Sequence, residues 1–364
     1  MKGLLRLAPV LAAVLVACTT APGSGPSATR NPESAAPLAG ESPATAPSTH
    51  TPPPEPSEPV ARVYNHLASV DTLPGVLLFG GITSSPPDGG VFLGDSWLAG
   101  APPAWTRADP GSVVPMGDAL AYDAGSDRVV VFAIVAAGEG FASQNETWAY
   151  DPAADEWSLV GTEQPDGLHG ARAAYDAESD RIIVIARESL RVWAYDLDSD
   201  TWERRASQTA GIDTYHGIAY DAESDRVAVF GGGLGLGPGA TLAYDYNSDT
   251  WTDLSSDASP TERAYQAMAY DPTTDRIIMF GGVEGGAETP TDETWAYDVN
   301  SSMWSLLNPP TRPSPRGWAA LAFNPADRSL VLFGGGPRRE EATDETWVFN
   351  PDTDDWTLAS PETG

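Results

Sequence analysis

Residues 263–271 read Arg263-Ala-Tyr265-Gln266-Ala-Met-Ala-Tyr270-Asp271, followed by Pro-Thr-Thr-Asp275 and Arg276-Ile-Ile-Met-Phe280-Gly281-Gly282. After a loop from Val283 to Asp292 come Glu293-Thr-Trp-Ala-Tyr297-Asp298, a short polar break, and Trp304-Ser-Leu-Leu307. Each apolar run has the length of a strand and is rich in β-branched and aromatic residues. Asp, Asn, Pro, Gly or Ser bounds each one. The stretch therefore predicts four short strands in an up-and-down antiparallel meander. A sheet that is apolar on both faces cannot bury them alone, so it needs neighbours of its own kind.

The chain supplies them. The Trp of the last strand recurs as Trp105, Trp157, Trp202, Trp251, Trp304 and Trp356, at spacings of 52, 45, 49, 53 and 52. Seven residues before five of these stands Tyr150, Tyr195, Tyr244, Tyr297 or Phe349, and Leu98 takes the place in the first copy. The diglycine recurs after Phe79, Phe230, Phe280 and Phe333, whereas copies two and three carry Ala133-Ile134 and Ala186-Arg187 instead. A period near fifty, with a diglycine and an aromatic seven residues before a Trp, resembles the Kelch repeat. The resemblance implies an all-β fold, a six-bladed β-propeller of four-stranded antiparallel blades. The expected blades span about 61–108, 115–160, 168–206, 213–256, 263–308 and 316–360, within a domain covering 61–364.

Ahead of the repeats, Met1 to Ala17 carries Lys2, Arg6 and an apolar run too short to span a bilayer, the pattern of a secretory signal. It ends Leu15-Val16-Ala17-Cys18, which resembles a bacterial lipobox, so the 1–17 segment reads as a lipoprotein signal peptide and Cys18 as the lipidated residue. Cys18 is the only cysteine, which leaves the domain to stand on packing without a disulfide. Residues 18–60 are rich in Pro, Ser, Thr and Ala and predict a disordered, semi-extended tether. The expected location is the bacterial cell envelope, secreted across the cytoplasmic membrane and lipid-anchored.

Without the signal the chain has 18 basic against 51 acidic residues, a formal charge of −33. A field of that sign repels nucleic acid and anionic headgroups, so the membrane is expected to be touched through the lipid alone. Much of the acid lies in turns such as Tyr122-Asp123 before Asp127-Arg128 or Tyr270-Asp271 before Asp275-Arg276, where Asp closes a hairpin through its own backbone. Their spacing lacks the ligand density of a calcium loop.

The meander places the loops after the diglycines, and the crossings between blades, on the face where first strands begin. That face collects the long loops, where function usually sits on a rigid scaffold. Around the expected channel mouth stand His66, Asp118, His169 with Arg172, Asp213 with Tyr215 and His216, Arg263 with Tyr265 and Gln266, and Arg316 with Trp318. Aromatics beside Arg, Asp and His suit a sugar or a small anion; packing between blades accounts for the same residues equally simply. His66, His169 and His216 lie on three different blades, so no metal and no cofactor is expected.

Galactose oxidase, a catalytic relative by fold, uses a Tyr crosslinked to Cys, and the propeller contains no Cys. The periplasmic sialic acid mutarotase is another Kelch-like class, but its catalytic residues find no position-by-position match here. The expected function is a protein- or ligand-binding module, monomeric, with a protein or carbohydrate partner. The alternative is a sugar-active mutarotase, epimerase or lyase working at the channel mouth through Arg263, Arg316, His169 or His216.

Overall fold

The computed structural model describes residues 56–73, 75–83, 90–101, 104–108, 114–115, 117–135, 144–187, 190–205, 215–231, 239–285 and 289–359. The signal peptide, Cys18, most of the tether, Asp213 and parts of the long loops lie outside the described residues. Within the unit from Pro56 to Gly364, the described residues are all-β, and no helix is long and apolar enough to cross a membrane.

Six four-stranded antiparallel sheets follow one another along the chain. Their first strands are His66–Val70, Gly117–Asp123, Arg172–Asp176, Gly217–Asp221, Ala267–Asp271 and Ala320–Asn324. These first strands lie against one another in cyclic order, the sixth returning to the first, and so surround an axis. A small three-stranded sheet, Arg263–Ala264 with Val283–Glu284 and Thr289–Pro290, extends sheet five at the end where its first strand begins.

The second strands are the core. Ile182, Ile183, Val184 and Ile185 are fully buried, as are Val227 to Phe230, because both faces of the strand meet a neighbouring sheet. The repeat Trp stands opposite its aromatic partner in register, Tyr297 against Trp304 and Phe349 against Trp356. Sheet one departs from the expectation: Trp105 pairs with Ala99, and Leu98 pairs with Thr106. The turn there is one residue shorter, so Leu98 does not fill the aromatic position.

The Trp also joins sheets. Trp157 donates its indole N–H to Ser96 Oγ at 3.1 Å, Trp304 to Thr241 Oγ1 at 2.9 Å and Trp356 to Thr294 Oγ1 at 2.9 Å, each acceptor opening the third strand of the preceding sheet. Trp105 of sheet one reaches Thr346 Oγ1 of sheet six in the same way, at 2.8 Å. Ring closure therefore repeats the ordinary contact between sheets. No strand from residues 56–61 joins sheet six.

The acidic turns are structural. Tyr122, Tyr175, Tyr220 and Tyr270 each donate a phenol O–H to the Asp five residues on, at 2.7–2.9 Å. Those four Asp residues sit at φ 53–56°, a conformation Asp tolerates better than most. The Asp ending the first strand of sheets two to five accepts backbone N–H groups of its own turn, as Asp176 does from Glu178 and Ser179.

Candidate functional site

At the end of the axis where first strands begin, three arginines look alike in sequence and in place. Arg62, Arg263 and Arg316 are each at most 1 % exposed. Each directs Nη1 to the first diglycine carbonyl of its own sheet: Gly80 at 3.0 Å, Gly281 at 3.4 Å and Gly334 at 3.3 Å. Each also pairs with a carboxylate just before the third strand, Asp95 at 2.6 Å, Glu293 at 2.8 Å and Glu345 at 2.5 Å. The same carboxylates accept the indole N–H of Trp97, Trp295 and Trp347. Burial pushes these carboxyls up, but the indole and guanidinium hydrogen bonds outweigh it and hold all three below their ordinary values.

The carbonyls of these arginines also explain the diglycines. A Cβ on Gly231, Gly281 or Gly334 would lie 2.4, 2.4 or 2.7 Å from the backbone oxygen of Arg263, Arg316 or Arg62 in the next sheet. All three glycines also have φ between 67° and 76°. Sheets three and four carry no such Arg at their start, and sheets two and three lack the diglycine; Gly80-Gly81 of sheet one is the exception, since sheet two has no such Arg and a Cβ on Gly80 would meet only Leu93 O at 3.4 Å. Arg263 and Arg316, expected at the mouth, are thus corrected to buried structural groups. Gln266 is likewise in the packing, its Nε2 donating to Phe230 O of sheet four at 2.7 Å, and His216 is 1 % exposed.

Two residues beyond each Arg, the axis itself is reached. Tyr64, Tyr265 and Trp318, with Tyr215 of sheet four, occupy the position six residues before the end of the first strand. All four have positive φ, 58°, 61°, 61° and 67° for Tyr64, Tyr265, Trp318 and Tyr215, which is unfavourable for bulky side chains. A chain of backbone hydrogen bonds holds them there: Tyr265 N to Tyr215 O, Trp318 N to Tyr265 O, and Tyr64 N to Trp318 O, at 3.0–3.2 Å. Their rings pack in sequence, with centroids 4.4 Å apart for Tyr215–Tyr265 and 4.9 Å for Tyr265–Trp318. Tyr64 meets Tyr265 at 6.0 Å and Trp318 at 6.3 Å. Burial, and then the neighbouring phenols of Tyr64 and Tyr215, raise the Tyr265 phenol far above its ordinary range.

In sheets two and three the same position holds Gly117 and Gly170. The aromatic arc is therefore open on that side, and polar residues collect in the gap. Asp118 accepts from Gly170 N at 2.9 Å and lies 3.2 Å from His169 Nδ1. This hydrogen bond raises the His169 pKa, against a smaller opposing effect of burial. His66 Nε2 lies 3.0 Å from Gly117 O, and burial, seconded by Arg172, pushes its pKa down to about 4. His66 is thus neutral at pH 7, with Nε2–H the donor.

Arg172 opens the first strand of sheet three, half-buried. Its charge is felt alongside Tyr64, Tyr265 and Tyr215 of sheets one, five and four, and by His66. Its one hydrogen bond among the described residues is Nη1 to Ala171 O at 3.2 Å. Arg187 lies 5.1 Å from the Tyr215 ring centroid and Arg339 5.2 Å from that of Tyr64. Among the described residues no set of three or more His, Cys, Asp or Glu side chains is gathered for a metal ion.

The expected mouth residues thus divide. His66, Asp118, His169, Arg172, Tyr215, Tyr265 and Trp318 converge, and Arg263, Arg316, Gln266 and His216 belong to the packing. Tyr64, Arg187 and Arg339 were not anticipated. Tyr64 was legible: Arg62-Val-Tyr64 matches Arg263-Ala-Tyr265 and Arg316-Gly-Trp318, but counting back from a Tyr-Asp turn fails in copy one, which has none.

The family model described as the KLHDC2/KLHL20/DRC7 Kelch-repeats domain matches residues 186–364. No curated protein matches the chain. Among solved structures, that of YjhT is similar at 13 % identity with a TM-score of 0.60, covering 84 % of this chain and 99 % of that one; at such identity the likeness speaks for the fold. The matched residues contain all of sheets four, five and six, with the diglycines at Gly231, Gly281 and Gly334. The chain is a Kelch-repeat β-propeller.

Proposed function

We propose that this protein is a binding module of the bacterial cell envelope, secreted by its leader, lipidated at Cys18 and held off the membrane by the 18–60 tether. Its six sheets act as the six blades of a monomeric propeller, and its ligand, a carbohydrate or a protein segment, is engaged at the axial end where first strands begin. The observation that carries this reading is the set of four bulky aromatics held at positive φ. Strain of this kind is kept where the surroundings over-determine it, and it clusters at ligand sites. The gap over Gly117 and Gly170 gives that aromatic set a polar entrance. Calorimetry of the full chain against acidic sugars and cell-wall fragments tests the reading. Binding that Tyr265→Ala weakens at least tenfold supports it; a ligand bound equally by Tyr265→Ala moves the site onto the outer loops.

A further inference from the structure

Arg172, half-buried, differs from the three buried arginines at this end of the axis. Arg62, Arg263 and Arg316 each face a carboxylate at 2.5–2.8 Å. Among the described residues none lies within salt-bridge distance of Arg172, and Asp118, already engaged by Gly170 N and His169, acts on it only through space. Burial is the largest influence on the Arg172 guanidinium and lowers its pKa. A cation half withdrawn from water without a partner bears part of the cost that buried charges recover by pairing, while it stays within reach of a ligand.

Its surroundings are set up for an acceptor. The rings of Tyr215, Tyr265 and Trp318 pack against one another, and the Tyr215 hydroxyl accepts from Arg187 Nη1 at 3.1 Å, which leaves its O–H to donate. His66 is neutral, with its Nε2–H engaged by Gly117 O. At the first residue of the first strand, where sheets one and three have His66 and Arg172, sheets four, five and six have only Gly217, Ala267 and Ala320. Arg187 and Arg339 add two more cations beside the arc.

We propose that Arg172, with the hydroxyls of Tyr64, Tyr215 and Tyr265, forms an anion site on the axis that takes a carboxylate group of the ligand. The guanidinium fork matches the two coplanar oxygens of a carboxylate, and phenol donors can serve the remaining lone pairs. A phosphate dianion fits less well, since it brings twice the charge into the field of a strongly acidic protein. The proposal rests on the axial end being the ligand site, and it names the chemical group read there.

The probe is carbon-13 acetate, followed by line broadening on addition of the full chain at constant ionic strength, with acetamide as the neutral control. Acetate should broaden and acetamide should not. Arg172→Gln should reduce the acetate effect at least tenfold, Arg172→Lys should restore part of it, and Arg226→Gln on the opposite face should leave it unchanged. A thermal melt of Arg172→Gln at or above the wild-type midpoint shows that the loss is not unfolding. Equal broadening by wild type and Arg172→Gln, or by acetamide and acetate, overturns the proposal. Displacement of acetate by an equal or lower concentration of inorganic phosphate overturns the carboxylate assignment. Absence of acetate binding in wild type also sinks the anion site, while the reading of the mouth stands or falls separately on Tyr265→Ala against the sugar panel.

Discussion

Arg316 and Arg172 are both arginines drawn in from solvent near the same end of the axis, yet their environments predict opposite behaviour. Arg316 satisfies Glu345, Thr343, Ser314 and the Gly334 carbonyl together. Arg316→Ala should therefore cost about 3 kcal/mol, because it strands a half-exposed carboxylate and a buried carbonyl. Chemical denaturation measures this, and Arg316→Lys should recover little, since a single ammonium cannot span the same acceptors. His66 adds a pH dependence. Its folded pKa of about 4 lies below the ordinary 6.5, so between those values the unfolded chain takes up a proton that the folded chain refuses. Stability should fall as pH drops through that window and the His66 contribution should level off below about 4. From pH 7 to 5 wild type should lose about 2 kcal/mol more than His66→Gln. Identical pH profiles for the two would mean that His66 is solvated.

Sheets owe their register to turns and to the Trp that closes each one. Trp304 is 4 % exposed, packs 4.8 Å from Phe230 and 4.6 Å from Tyr297, and donates to Thr241 of the preceding sheet. Trp304→Ala should cost about 3–5 kcal/mol, read as a denaturation midpoint. Gly281→Ala should cost roughly 2–3 kcal/mol through positive φ and the Arg316 carbonyl in the next sheet. Strands, turns and the Trp period were legible because each rests on local pattern. The arginine roles were less so, although Arg62, Arg263 and Arg316 each precede a diglycine by 18 residues and an Asp/Glu-Ser/Thr-Trp triplet by more. Which side of a strand-start arginine meets that triplet is decided by three separated segments coming together. For the same reason Arg172, with no triplet of its own, looked like the others.

In the whole molecule, the cyclic order of first strands and the Trp105–Thr346 bond make closure one more contact between sheets. Thr346→Val should then cost about 1 kcal/mol, the usual worth of such a bond. Removing residues 19–55 should leave the melting midpoint unchanged, whereas removal through Arg62 should lower it by deleting the Arg62–Asp95 pair. Cys18→Ser should abolish labelling by a palmitate analogue without changing the melt; equal labelling would end the lipoprotein reading. Interlocking sheets make a stiff frame, and the aromatic arc on sheets four, five, six and one faces a polar gap on sheets two and three. The central claim is that this frame uses the buried, paired Arg62, Arg263 and Arg316 for stability and the half-buried Arg172 for a ligand. The direct test measures denaturation midpoint and acetate binding together for Arg316→Ala and Arg172→Gln. Arg316→Ala should lower the midpoint while its folded fraction still binds acetate; Arg172→Gln should keep or raise the midpoint and lose binding at least tenfold. A lowered midpoint with intact binding for Arg172→Gln would contradict the account.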